Sequence, residues 1–215
     1  MPFKRQFVAF FLAFAVATSA LAGAASTQPL QIVGFGDSLM AGYGLSPGES
    51  FPEKLETALR ERGHDVVIAN AGVSGDTTSG GLARLDWSVP DGTDLVILEL
   101  GANDMLRGLP PSVTRGNLSR MIEMLKARGI GVLLAGMRAA PNLGPYYQAE
   151  FDAIYPELAA EHELPLYPFF LEGVAAQADL LLPDGMHPSA GGVDVMVANF
   201  LPAIEAVISP ASARK

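Results

Sequence analysis

Leu30-Gln31-Ile32-Val33-Gly34-Phe35 runs directly into Gly36-Asp37-Ser38, and this junction sets the reading of the whole chain. A short apolar run ending in glycine suits a strand of a parallel sheet covered on both faces. A loop follows, with glycine at 42, 44 and 48 and Pro47 among them. Two more runs have the same form. Residues 65–70 lead into Ala71-Gly72-Val73-Ser74-Gly75-Asp76-Thr77, and residues 94–100 lead into Gly101-Ala102-Asn103-Asp104. Each apolar run feeds a polar, glycine-bearing loop.

Helical patterns lie between and after these runs. Ser50-Phe51-Pro52-Glu53 is a capping box, and Phe51, Leu55, Ala58, Leu59 and Arg62 keep helical spacing up to Gly63. A short helix is expected through Leu82 and Leu85. Leu118, Met121, Ile122 and Leu125 set a core-facing stripe on a helix over 112–128. Residues 130–135 read as a fourth strand and 164–167 as a short fifth. Residues 137–145 and 179–188 read as loops. A helix over 147–161 should kink at Pro156, and a final helix over 189–208 should be interrupted near Pro202. The expectation is α/β: a three-layer sandwich around a five-stranded parallel sheet with right-handed crossovers. In such sheets ligands bind outside the carboxyl ends of the strands.

At 215 residues the chain is one domain plus, at most, a processed segment. Hydrophobic residues make up 49% and charged residues 17%, enough for a sizeable core and too apolar for a disordered chain. The formal charge of -9 repels phosphate backbones, so nucleic acid is not expected as a partner. Cysteine is absent, which excludes disulfides, zinc–thiolate and iron–sulfur sites and a cysteine nucleophile. Lys4-Arg5, an apolar run over 7–17 and small residues at Ala20-Leu21-Ala22 and Ala22-Gly23-Ala24 describe a secretory signal peptide over 1–24, cleaved after Ala22 or Ala24. The apolar run is short for a membrane span; an uncleaved anchor is the other reading. Residues 25–215 then form a single domain, secreted or periplasmic, without a stable membrane anchor and expected as a monomer.

The loops after the strands hold a chemically complete set. Ser38 follows the first strand, Gly75 the second and Asn103 the third, while Asp184 and His187 share the loop before the last helix. A serine hydroxyl is inert until a base takes its proton. His187 is that base and later the acid, and Asp184 can orient the imidazole and stabilise its charged form. Ser38 and Gly75 backbone N–H groups and the Asn103 amide could hold an oxyanion. Each has a plainer reading as a turn or cap residue, and Asp184 with His187 could be two metal ligands, although no third ligand is evident. The fingerprint G-x-G-x-x-G fails at Leu39, and no P-loop or G-x-S-x-G elbow is present. His64 and His162 read as solvated or capping residues, Asp37 and Asp104 as loop braces, and Arg84 with Asp86 as a surface pair.

Gly36-Asp37-Ser38-Leu39 with Ala41-Gly42-Tyr43-Gly44-Leu45 resembles the first block of the SGNH, or GDSL, hydrolases. Asn70-Ala71-Gly72-Val73-Ser74-Gly75-Asp76-Thr77 is similar to the second block, Gly101-Ala102-Asn103-Asp104 to the third and Asp184-Gly185-Met186-His187-Pro188 to the last. The likeness runs from about 30 to 208. Within the superfamily it points to bacterial periplasmic acyl-CoA thioesterases, lysophospholipases and arylesterases. Gly80-Gly81-Leu82-Ala83-Arg84-Leu85, Leu106-Arg107-Gly108 and Ile154-Tyr155-Pro156 add to it. The resemblance implies a flavodoxin-like sandwich, no metal, no organic cofactor, and the roles above for Ser38, Gly75, Asn103, Asp184 and His187. Met40, the stretch Met137-Arg138-Ala139-Ala140 and Leu109 depart from the family pattern, which bears on acyl-chain preference.

The implied partner is a small acyl ester or thioester. Leu106, Leu109, Leu143 and Tyr146, on loops after the third and fourth strands, are the candidates for acyl contact. A carbohydrate O-acetylesterase is the alternative within the class, and a non-catalytic binding module on the same fold is the alternative outside it.

Overall fold

The computed structural model describes residues 28–209. The expected signal peptide and the tail 210–215 lie outside the described residues. Five parallel strands form one sheet: β1 (Leu30–Gly36), β2 (Val66–Gly72), β3 (Leu95–Glu99), β4 (Gly131–Ala135) and β5 (Leu166–Tyr167), in the order β2-β1-β3-β4-β5. This is the flavodoxin-like order, with a switch point between β1 and β3. β1 pairs on both sides, Ile32 lying opposite Ile68 of β2 and Leu95 of β3. Its residues from Ile32 to Gly36 are all buried, as expected of a central strand.

Right-handed crossovers send the helices to opposite faces, because the chain moves one way from β1 to β2 and the other way from β2 through β5. One layer holds α2 (Phe51–Glu61) and α7 (Ala190–Ile208). The other holds α3 (Thr78–Ser88), α5 (Pro111–Ala127) and α6 (Pro145–His162). The Ser50–Glu53 capping box opens α2 as the sequence requires: Glu53 accepts from both the Ser50 N–H and its hydroxyl. Leu118, Met121, Ile122 and Leu125 are all buried under α5. Beneath α2 and α7, Phe51 meets Phe170 and Phe200 edge to face at 4.7 and 5.2 Å, an arrangement worth about 1 kcal/mol per pair beyond burial.

Several expectations need correction. Two short helices, α1 (Ser38–Ala41) and α4 (Ala102–Leu106), stand where loops were predicted. α7 is not interrupted at Pro202 and continues to Ile208; the kink expected at Pro156 falls inside a continuous α6. Each proline forfeits one backbone bond, and the buried residues on either side, Tyr155 and Leu158 or Phe200, Leu201 and Ile204, keep the helix packed. Arg84 is not in a surface pair with Asp86. Positions two apart on a helix do not face each other, and Arg84 points inward: it is buried, bonds Asp76 at 2.6 Å and lies over the Phe35 ring at 4.0 Å. Its other nitrogens donate to the Ala71 and Gly36 carbonyls at 2.8 and 2.9 Å. One guanidinium thus ties the carboxyl ends of β1 and β2 to the loop between β2 and α3.

Candidate active site

The carboxyl edge of the sheet gathers the predicted residues. Asp37 caps α1 with its carboxylate on the Leu39 N–H, so Ser38 becomes the first residue of a helix just beyond β1. A Cβ on Gly72 would collide with the Ala41 backbone, so the glycine lets α1 sit directly against the end of β2. His187 Nε2 lies 2.9 Å from Ser38 Oγ, across 149 positions of sequence. On its far side His187 Nδ1 lies 2.7 Å from Asp184 Oδ2. The other Asp184 oxygen accepts the N–H groups of Met186 and His187 at 2.9 and 3.0 Å. The loop is closed by a bridge between Leu181 and Pro188. Tyr43, which sequence reasoning did not single out, packs on the His187 ring with centroids 4.4 Å apart.

The backbone bonds from His187 and Met186, and then the imidazole, hold the Asp184 carboxyl down to about 2. It stays ionised wherever an esterase would work and so can favour the charged imidazole. Asp37 behaves in the opposite way. Burial pushes it up to about 6, although the Leu39 N–H and the Asn103 amide pull it down. Asn103 Nδ2 donates to Asp37 Oδ2 at 3.0 Å, which spends one of its two protons and leaves the other. The Ser38 and Gly75 N–H groups take no acceptor within the chain among the described residues. Gly75 has φ of +81° in the turn Val73–Asp76, where a type II turn needs a residue free to adopt positive φ. Asp104, on α4 rather than in a loop, braces the start of α3 by accepting from the Thr78 N–H and hydroxyl. His64 and His162 lie elsewhere, near Glu205 and Ser119.

Beneath Asp37 is a second carboxyl. Glu99, fully buried, accepts the Asp37 N–H at 3.3 Å with one oxygen and, among the described residues, has no partner for the other. Burial, with the nearby Asp37 charge, holds its carboxyl well above the usual carboxylate range. The folded protein therefore keeps a proton here that the unfolded chain releases, and stability falls as pH rises above the unfolded value. Glu99→Gln cannot ionise. Its melting temperature relative to the parent should rise as pH goes above 4.5 and level off once Glu99 ionises in the folded parent, in buffer-matched thermal melts. A constant offset from that pH upward would show that Glu99 does not titrate as its burial requires.

A cleft of about 510 Å³ opens beside Ser38 and His187. Its far wall is largely apolar: Met137, Ala139, Ala140 and Pro141 follow β4 and Phe169 and Leu171 follow β5, with one charged group among them, the exposed Arg138 guanidinium over the Phe169 ring. Of the four residues expected to meet an acyl chain, only Leu106 lines the cleft, exposed at its mouth. Leu109 turns its carbonyl to the Tyr147 hydroxyl, Leu143 packs on the core, and Tyr146 stands 89% exposed. Of the departures from the family pattern, residues 137–140 line the cleft, while Met40 is buried under β1.

The model for the GDSL-like Lipase/Acylhydrolase family matches residues 35–195. The chain belongs to this family. Among curated relatives of this hydrolase, an arylesterase of Vibrio mimicus is 46% identical over 166 residues, 77% of this chain and 83% of that protein. Esterase TesA of Pseudomonas aeruginosa is 37% identical over 185 residues, 86% of this chain and 91% of that protein. The crystal structure of AlinE4, an SGNH-hydrolase family esterase, matches at 52% identity with a TM-score of 0.72, covering 86% of this chain and 99% of that one. The hydrolase thus has SGNH relatives both in sequence and in fold, and its parallel sheet is theirs.

Proposed function

We propose that the protein is an exported serine hydrolase of acyl esters and thioesters, acting on small-to-medium acyl chains. The supporting observation is the unbroken path of hydrogen-bond distances from Ser38 Oγ through His187 to Asp184, at the mouth of an apolar cleft. Ser38 attacks the acyl carbon as His187 takes its proton. The Ser38 and Gly75 N–H groups and the Asn103 amide hold the oxyanion. His187 then protonates the leaving group and, in the second half, activates the water that releases the acyl-enzyme. Export follows from the basic, apolar and small-residue pattern of 1–24, with an N-terminus at Gly23 or Ala25 in the mature protein.

The apolar far wall favours an acyl tail over a sugar, so the carbohydrate O-acetylesterase is the weaker reading. A series of p-nitrophenyl esters from acetate upward decides between them. Each methylene that enters the cleft should raise kcat/KM about fourfold, from about 0.8 kcal/mol of burial, until the cleft is filled. A flat series, with fast release of acetate from an acetylated sugar, would overturn the acyl-cleft reading.

A further inference from the structure

Arg107 joins the two loops that carry the proposed oxyanion donors. It lies at the end of α4, and its main-chain N–H donates to the Asn103 carbonyl at 3.1 Å. Its guanidinium reaches across to the next loop and donates to the Gly75 carbonyl at 2.7 Å. Among the described residues other than Gly75 and its two chain neighbours, its terminal nitrogen is also the sole heavy atom within 4 Å of where a Gly75 side chain would begin. Lys126 likewise donates to a peptide carbonyl, that of His162 at 2.9 Å. Arg60, Arg62, Arg115 and Arg128 each meet a carboxylate. Among the described residues Arg107 meets none and spends its charge on a peptide carbonyl instead.

The turn explains why a clamp is needed. Type I and type II turns differ by rotation of the central peptide, and here the central peptide is Ser74–Gly75, which carries the Gly75 N–H. A glycine at positive φ offers little resistance to that rotation, and Arg107, by bonding the Gly75 carbonyl, holds the following peptide, Gly75–Asp76, and so fixes one of the two Cα pivots about which the central peptide turns. Arg84 fixes the neighbouring residue through Asp76, but it does not touch Gly75 itself. We propose that Arg107 is a positioning residue that holds the Gly75 N–H in register with the Asn103 amide, so that both donors meet one developing oxyanion. The inference rests on the reading of Gly75 and Asn103 as oxyanion donors.

The test compares Arg107→Ala, Arg107→Lys and Asn103→Ala on a neutral ester, p-nitrophenyl butyrate, and a polyanionic thioester, butyryl-CoA. Asn103→Ala removes a donor and should cut kcat by about a hundred- to a thousand-fold. Arg107→Ala leaves the donor present but free to turn, and kcat should fall about tenfold on both substrates with KM changed less than about twofold. Arg107→Lys should retain an intermediate rate, and added guanidinium ion should recover part of the Arg107→Ala loss. A residue that served stability alone would lower the melting temperature and would not respond to guanidinium. Wild-type kcat in Arg107→Ala beside a crippled Asn103→Ala would overturn the positioning role and spare the oxyanion reading. So would a rise in KM confined to butyryl-CoA, which would make Arg107 a head-group contact. Full activity in Asn103→Ala would remove the oxyanion reading and this inference with it.

Discussion

Replacing Ser38 by alanine is expected to lower kcat by about a hundred-thousand- to a million-fold on any ester the protein cleaves, and His187→Ala by about as much. The two losses should not add, because the hydroxyl and the imidazole 2.9 Å from it act as one unit. Asp184→Asn should cost less, about ten-thousand-fold, since the imidazole remains but its charged form loses its partner. A serine-directed phosphonate gives a second reading. It should label wild type at Ser38, confirmed by peptide mass, and label His187→Ala much more slowly. A folded wild type that resists the reagent, or a Ser38→Ala protein that still turns over, would favour the non-catalytic binding module. The melting temperatures of these variants should remain near wild type, so lost activity will not be mistaken for lost fold.

Arg84→Ala is the largest expected effect on stability. Arg84 is buried with its guanidinium on Asp76, Gly36 and Ala71. Removing it strands a carboxylate that is itself mostly buried, at 12% exposure, and leaves two carbonyls without that donor. Breaking a buried pair from one side costs about 3–5 kcal/mol, which for a domain of this size lowers the melting temperature by roughly 10 °C. Arg84→Lys should recover only part of this, because a point ammonium cannot reach Asp76, Ala71, Gly36 and the Ser88 hydroxyl at once or lie flat on Phe35. A melting temperature within about 2 °C of wild type for Arg84→Ala would show that these bonds are worth no more than an exposed pair. Asp86→Ala should leave it unchanged, since Asp86 is exposed and faces away.

The positions of the strands and long helices were legible because the first three apolar runs are short and end in glycine-bearing loops, and because Phe51 to Leu59 and Leu118 to Leu125 keep a helical period, while the flavodoxin-like order came from the resemblance. α1 and α4 were hidden. At 4 and 5 residues they are too short to show a period, and Gly-Asp-Ser and Gly-Ala-Asn-Asp are turn-formers by composition. The catalytic candidates were found through chemistry and loop position, and Ser38, Asn103 and His187 do converge on one cleft. Of the four candidates for acyl contact only Leu106 reaches the cleft, because loop membership says nothing about which way a side chain points. Tyr146 and Leu143 share the segment after β4 with Met137 and Ala139, yet only the latter pair lines the cleft. Glu99 looked like one polar residue at the end of an apolar strand, and nothing local marks it as the support beneath Asp37.

The cleft is built by two different halves of the sheet. Ser38, Gly75 and Asn103 stand at the ends of β1, β2 and β3, whereas the apolar wall hangs from β4 and β5. On the proposed function, the residues that break the bond and those that choose the substrate therefore lie on separate stretches of chain, the wall segments falling between Asn103 and the Asp184–His187 loop. Drift in residues 137–141 or 169–171 can widen, shorten or repaint the wall while the proton relay stays untouched. A lineage can thus change its diet without relearning its chemistry, and a breeder of new specificities should randomise those two segments first.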